Sequence, residues 1–222
     1  MIFTAKAVLF HLDGVLVDST PAVERVWRKW AAEHHRDPDY VVEMAHGRRS
    51  VETIRAVAPE LKAEEENLRV EQMEIEDKEG VVVIPGAADL LRSLPPDRFT
   101  IVTSATRPLA SARLGYAGLP VPKRYISADD VINGKPDPEP YLKGAALLGF
   151  APKDCVVIED APAGVKSAKT AGMRVIALTT TYSAEELSTA DAILGSCLDI
   201  LASLDGRELR LELKPATAGV RG

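Results

Sequence analysis

Seven residues of this chain carry reactive groups at positions that chain geometry can bring together: His11, Asp13, Thr103, Ser104, Lys135, Glu159 and Asp160. His11 follows the apolar run 7–10, Thr103 follows 99–102, and Glu159 follows 155–158. Lys135 lies in Gly134-Lys135-Pro136-Asp137-Pro138, just ahead of a helical stretch at 139–148. Hydroxyls, a lysine and three carboxylates gathered in one place suit phosphate chemistry. A hard divalent cation takes oxygen ligands, here Asp160, Glu159 and a backbone carbonyl near Asp13. That cation and Lys135 together offset the charge of a transferring phosphoryl group. Ser104 and neighbouring backbone N–H groups, such as that of Ala105, can hold phosphate oxygens at a helix start. Asp13 lies two residues past position 11, so in an extended stretch it faces the same side. There it can protonate a leaving alcohol and then activate water.

The elements that must position these groups follow from periodicity. After residue 85, short apolar runs alternate with helical stretches: strands at 99–102, 124–126, 155–158 and 174–178, helices at 87–94, 108–116, 139–148 and 163–171. Such alternation predicts a parallel sheet covered by helices on both faces. Ligands bind such sheets beyond the carboxyl ends of the strands, and the seven residues fall at strand ends or, for Lys135, ahead of a helix start. Residues 21–78 differ. Val23, Val26, Trp27 and Trp30 recur at helical spacing, and about four helices with no strand are expected there. The predicted fold is α/β, a Rossmann-like parallel sheet core (1–17 and 83–222) with an inserted α-helical cap (18–82), hinged near 15–18 and 82–85. Residues 209–213 alternate and read as an edge strand.

The chain as a whole narrows the function. Its 222 residues suffice for one core and a small insertion. Acidic residues outnumber basic ones, 33 to 27, for a net charge of −6. That balance argues against nucleic acid or an anionic membrane as the main partner. Two isolated cysteines, Cys155 and Cys197, form no disulfide framework, which suits a reducing cytoplasm. The start carries no signal-peptide pattern, and no apolar run reaches the ~20 residues that span a membrane. The composition says nothing about oligomeric state.

Phe10-His11-Leu12-Asp13-Gly14-Val15-Leu16-Val17-Asp18-Ser19 resembles the first motif of haloacid dehalogenase-like phosphatases. Thr103-Ser104 resembles the second, Lys135-Pro136 the third, and Glu159-Asp160-Ala161-Pro162-Ala163-Gly164 the fourth. The match spans roughly residues 6 to 195. Within the family, Thr103-Ser104-Ala105-Thr106-Arg107, the stretch from Gly134 to Gly144, and His46-Gly47-Arg48-Arg49 are similar to phosphatases of 2-deoxyglucose 6-phosphate, glycerol phosphate and sugar-alcohol phosphates. The resemblance implies Mg2+-dependent hydrolysis of a small phosphosugar or polyol phosphate. It implies roles for position 11 as nucleophile, Asp13 as acid and base, Lys135 as charge stabiliser, and Asp13, Glu159 and Asp160 around the metal. Ser104, Ala105, Arg107, His46, Arg48, Arg49 and Glu52 would contact substrate.

One position departs from the pattern. The family has aspartate where this chain has His11, and that aspartate binds metal with one oxygen while attacking phosphorus with the other. An imidazole can imitate one role and not both, and nitrogen suits magnesium poorly. Impaired turnover is therefore expected, from a deliberate or a natural loss of the nucleophile. Two alternatives stand beside the phosphatase reading: a phosphosugar mutase of the same superfamily, with Arg107 and the cap arginines at a second phosphate, and a catalytically dead phosphosugar-binding protein. Among ordinary structural readings, Asp18 and Ser19 are expected to cap the first cap helix, His34 and His35 to be exposed, Trp27 and Trp30 to pack, and Glu64–Glu66 to form a solvated face.

Overall fold

The computed structural model describes residues 1–214; the expected core stretch 215–222 lies outside them. Strands β1 (Ile2–Ala5), β2 (Ala7–Phe10) and β3 (Val17–Asp18) lead into helices α1 (Thr20–Glu33), α2 (Pro38–Ala45), α3 (Ser50–Val57) and α4 (Ala63–Glu76). Strand β4 (Val82–Val83) then returns antiparallel to β3. Next come α5 (Ala87–Ser93), β5 (Phe99–Ile101), α6 (Arg107–Tyr116), α7 (Glu139–Leu148), β6 (Cys155–Glu159), α8 (Pro162–Thr170), β7 (Arg174–Leu178) and β8 (Ala192–Leu194). A hairpin of β9 (Ile200–Asp205) and β10 (Glu208–Leu213) ends the described chain.

The main sheet is parallel, in the order β5-β2-β6-β7-β8. Strands β2 and β6 are buried at every position, because both faces of the sheet are covered. The pleat divides their side chains between two cores. Val8, Phe10, Val156 and Ile158 join one, while Ala7, Leu9, Cys155 and Val157 join the other. The chain leaves β2 outward to β5 and crosses back to β6, so the strand order reverses between β2 and β6. Such a switch point opens a crevice at the strand ends. His11 follows β2 there, and Asp160 follows β6.

Prolines in the first turns of α1, α2, α6, α7 and α8 help set where those helices begin. The four helices between β3 and β4 pack around their own core of Val26, Trp27, Trp30, Val41, Ile54 and Val70. The buried Trp30 indole needs an acceptor and finds Glu66 Oε2 at 2.8 Å. Glu66 is therefore withdrawn from the expected solvated face. His34 is half-buried rather than exposed, since it stacks on Trp30 and reaches the same carboxylate.

Two strand expectations are corrected. Residues 124–126 form no strand, only a single bridge of Ile126 to Val102. Pro120 and Pro122 lack N–H donors, and Ser127 already turns into a short 3-10 helix, so one residue is left to pair. Residues 209–213 do form a strand, but not an edge. Leu209, Leu211 and Leu213 bury one face of β10, which is the middle of a second antiparallel sheet, β1-β10-β9.

Candidate active site

His11 is pinned where β2 ends, its backbone N–H donating to the Ile158 carbonyl of β6 at 2.9 Å. Its buried ring meets three neighbours. Nδ1 lies 3.1 Å from both the Val102 carbonyl and Lys135 Nζ, and Nε2 lies 4.0 Å from Asp160 Oδ1. A neutral ring nitrogen either donates or accepts, so Nδ1 serves only one of its two neighbours. Burial first, then the Lys135 charge, holds the His11 pKa below its ordinary value, and the ring is neutral.

Lys135 is buried behind His11. Its Nζ donates to Glu159 Oε1 at 2.5 Å and lies 4.9 Å from the centre of the Tyr141 ring. Glu159 is saturated: Oε1 also accepts from Tyr141 Oη at 2.8 Å, and Oε2 accepts from the N–H groups of Asp160 and Ala161 at 2.8 and 3.0 Å. Burial is the largest single influence and opposes its ionised form, but the Lys135 charge and the hydrogen bonds from Lys135 and Ala161 together help outweigh it and hold the carboxylate well below its ordinary range. Gly164 leaves the room for this clamp, since a Cβ there would fall 1.8 Å from Glu159 Oε1.

Asp160 is the converse. Its buried Oδ1 has no hydrogen-bond partner. Burial, and then the neighbouring Glu159 charge, push its pKa well above the usual carboxylate value. Gly14, at φ +78°, packs so closely that a Cβ would fall 2.0 Å from Asp160 Oδ2. An orphaned carboxylate oxygen in a buried carboxylate pair suits a divalent cation. Asp160 fits such an ion through oxygen. Each Glu159 oxygen already accepts two hydrogen bonds, although Glu159 stands with His11 and Asp160 in a buried group whose ligand atoms lie within 4.8 Å of one another. His11 would offer nitrogen, a better match to transition metals than to magnesium.

Asp13 is held by two groups: Ser19 Oγ donates to Oδ1 at 2.7 Å, and Arg113 Nη1 lies 2.8 Å from Oδ2. Its side chain is thus engaged, and only its backbone is left to face a metal. Ser19 does occupy the start of α1, but its hydroxyl makes no cap there because it is spent on Asp13. Asp18 instead accepts from the Thr20 N–H at 3.0 Å.

A cavity of about 70 Å³ joins these groups. His11, Asp13, Ser104, Ala105 and Asp160 line it from the sheet side, and Trp27, His46 and Arg48 from the helical insertion. His46 Nε2 is buried without a partner, and burial lowers the His46 pKa. The insertion rests on the sheet edge here: Ser104 Oγ donates to the Gly47 carbonyl at 3.5 Å, and a Cβ on Gly47 would meet Ala161 at 2.9 Å.

The structure does not bring every expected residue to this cavity. Arg107 points away, its guanidinium paired with Asp130 at 2.6 Å and lying over the Tyr125 ring. Arg49 is tied to Glu52 beside Gly134 and lines a neighbouring cavity. Four residues at the site were missed: Arg113, Glu74, Tyr141 and Thr181. Arg113 and Glu74 carried a signal. On α6 the buried face is Leu109, Ala110, Arg113 and Leu114, and on α4 it includes Val70 and Glu74. A charge in phase with an apolar stripe needs a partner, and these two are each other's.

Strand order, switch-point residues and the four motifs define one class. The chain belongs to the haloacid dehalogenase-like hydrolases, whose family model matches residues 5–172. Its relatives place it among the phosphatases of that family. It is 44% identical to hexitol phosphatase A of Escherichia coli (strain K12) over 86% of this chain and 91% of that one. It is 37% identical to glycerol-1-phosphate phosphohydrolase 2 of Saccharomyces cerevisiae (strain ATCC 204508 / S288c), over 80% and 76% of the two chains. A crystal structure of a hydrolase from Pseudomonas syringae is similar with TM-score 0.79 and 25% identity, covering 88% of this chain and 95% of that one. Among the described residues no helix is long and apolar enough to cross a membrane.

Proposed function

We propose that this chain is built to hydrolyse phosphomonoesters of small sugars or polyols in the presence of magnesium, with turnover impaired by His11. The observation that supports this best is the cavity shared by His11, Asp13, Ser104 and Asp160, with Lys135 directly behind His11. The named activities of the hexitol and glycerol phosphate relatives agree with it.

In this reading the ester's phosphorus faces position 11. Ser104 and the N–H groups after it hold phosphoryl oxygens. Lys135 sets positive charge against the same group. Asp13 gives a proton to the departing alcohol oxygen and later takes one from water. Asp160 and a backbone carbonyl near Asp13 would hold magnesium, which when bound supplies charge neutralisation at the phosphoryl oxygens. His46 and Arg48 contact the sugar or polyol, and the seated insertion keeps bulk water out. His11 is neutral and buried, and its Nδ1 is taken by Val102 or Lys135. It binds in place of the family's carboxylate without replacing both of that group's functions.

A phosphate-release screen over sugar and polyol phosphates, run on this chain and on His11→Asp side by side, tests the reading. His11→Asp is expected to release phosphate and to prefer hexitol- or glycerol-type esters. An isomeric phosphosugar as product would establish a mutase. No turnover of any ester by His11→Asp with magnesium would overturn the reading.

A further inference from the structure

Arg113 is 7% exposed and sits between two carboxylates on different parts of the chain. Nη1 lies 2.8 Å from Asp13 Oδ2, on the loop after β2. Nη2 donates to Glu74 Oε2 at 2.9 Å, on α4 of the helical insertion. Glu74 is also buried, so neither ion has water to fall back on. The other Asp13 oxygen is taken by Ser19, at the start of α1. Both restraints on the Asp13 carboxylate therefore depend on the insertion, one directly and one through the guanidinium. A carboxylate with one donor on each oxygen has its plane fixed; with either donor gone it can rotate about χ2.

We propose that Arg113 is a positioning residue for Asp13, set by the insertion through Glu74. The proposal rests on the acid and base role given to Asp13 above. While α4 is seated, Glu74 anchors one arm of the guanidinium and the other arm aims Asp13 into the cavity. When α4 lifts, Glu74 leaves and Arg113 loses its anchor, so Asp13 is aimed only in the closed molecule. The device links proton transfer to exclusion of water without any new contact to substrate.

The test has two arms on the full-length chain. The first carries His11→Asp and measures kcat/KM for glycerol 3-phosphate. Arg113→Lys is expected to lower it about tenfold or more, and Glu74→Gln about threefold, each a fraction of the roughly hundredfold or greater contribution of a general acid–base group. In an Asp13→Asn background the same substitutions should change the residual rate less than about twofold, because the group they position is gone. Equal losses in both backgrounds would mean a structural role only, and a rise with Asp13 present would mean that Arg113 holds it out of use; either overturns the proposal. A parent that turns over no ester defeats the proposed function instead. The second arm needs no turnover. In the chain as it stands, thermal midpoints are compared for Glu74→Gln, Asp13→Asn and the double variant. The double variant, which leaves Arg113 buried without a counter-charge, should melt at least about 3 °C below the sum of the single shifts, and this excess should vanish with Arg113→Met. Additive shifts would overturn the proposal.

Discussion

The ammonium of Lys135 lies 3.1 Å from Nδ1 of His11, a contact between a buried cation and a neutral ring. A buried lysine needs an anion, and among the described residues Glu159 is the one paired with it directly. An aspartate at position 11 would place a second negative charge beside Lys135 and a free oxygen toward Asp160. His11→Asp is therefore expected to raise turnover at least about a thousandfold, roughly 4 kcal/mol in the barrier. Steady-state phosphate release on one shared ester measures it. Comparable rates would instead direct the search to a phosphohistidine.

Magnesium should follow oxygen count. Asp160 offers the one orphaned buried carboxylate oxygen at the cavity among the described residues, while both Glu159 oxygens are engaged. Calorimetric titration should find no measurable magnesium binding in Asp160→Asn, and tighter binding in His11→Asp than in this chain. Equal affinity in the last two would show that position 11 does not face the ion.

How far the sequence discloses this site depends on what each residue needs from distant parts of the chain. His11, Ser104, Lys135 and Asp160 stand directly after strands or before helices, so local pattern places them. Glu159 sits one residue from Asp160, yet both its oxygens are hydrogen-bonded while Asp160 keeps one without a partner. The difference is made by Tyr141 and Lys135, which come from a separate segment. Arg107 and Arg49 look alike in sequence to cavity arginines, but nearby carboxylates, Asp130 and Glu52, capture both. The role of Ser19 was hidden because the start of a helix explains a serine fully. Only the folded loop shows its hydroxyl turned to Asp13. Four strands of the main sheet, β2, β5, β6 and β7, were legible because they are mostly apolar runs, whereas β8 was not, being only three residues long. The second sheet was not, since β1 is short and its partners lie some 200 residues away in the chain, at positions 209–212.

Glu74 should make stability depend on pH. Burial raises its pKa above the ordinary value of 4.5, and the attraction of Arg113 only partly opposes this. The folded chain thus holds this proton more tightly than the unfolded chain. A raised carboxylate stabilises below the unfolded pKa, and that contribution is lost as pH rises through the folded value. Urea midpoints taken from pH 4.5 upward should therefore carry a downward component from Glu74. Glu74→Gln should remove it, so the difference between the two proteins should change steadily over that range. Parallel midpoint curves would mean that Glu74 titrates normally.

Arg48 and Arg49 are adjacent in sequence but differ in what the fold gives them. Arg48 lines the cavity beside His46, where its charge can reach a bound ester. Arg49 is held by Glu52, and the pair packs against Gly134, next to Lys135 in the chain. Arg48 is therefore free to distinguish one sugar or polyol from another, while Arg49 braces the insertion against the loop that carries Lys135. In the His11→Asp background, Arg48→Ala should reorder the ranking of phosphosugars and polyol phosphates by about tenfold for at least one pair, the scale of one lost charged hydrogen bond. Its melting temperature should hardly move, because the side chain is exposed. Arg49→Ala should lower the rate on every ester by a similar factor and leave the ranking in place. A substrate panel with melting temperatures for both variants measures this. If Arg49→Ala reorders the panel and Arg48→Ala does not, the side chains exchange places when substrate binds, and selectivity belongs to the arginine now tied to Glu52.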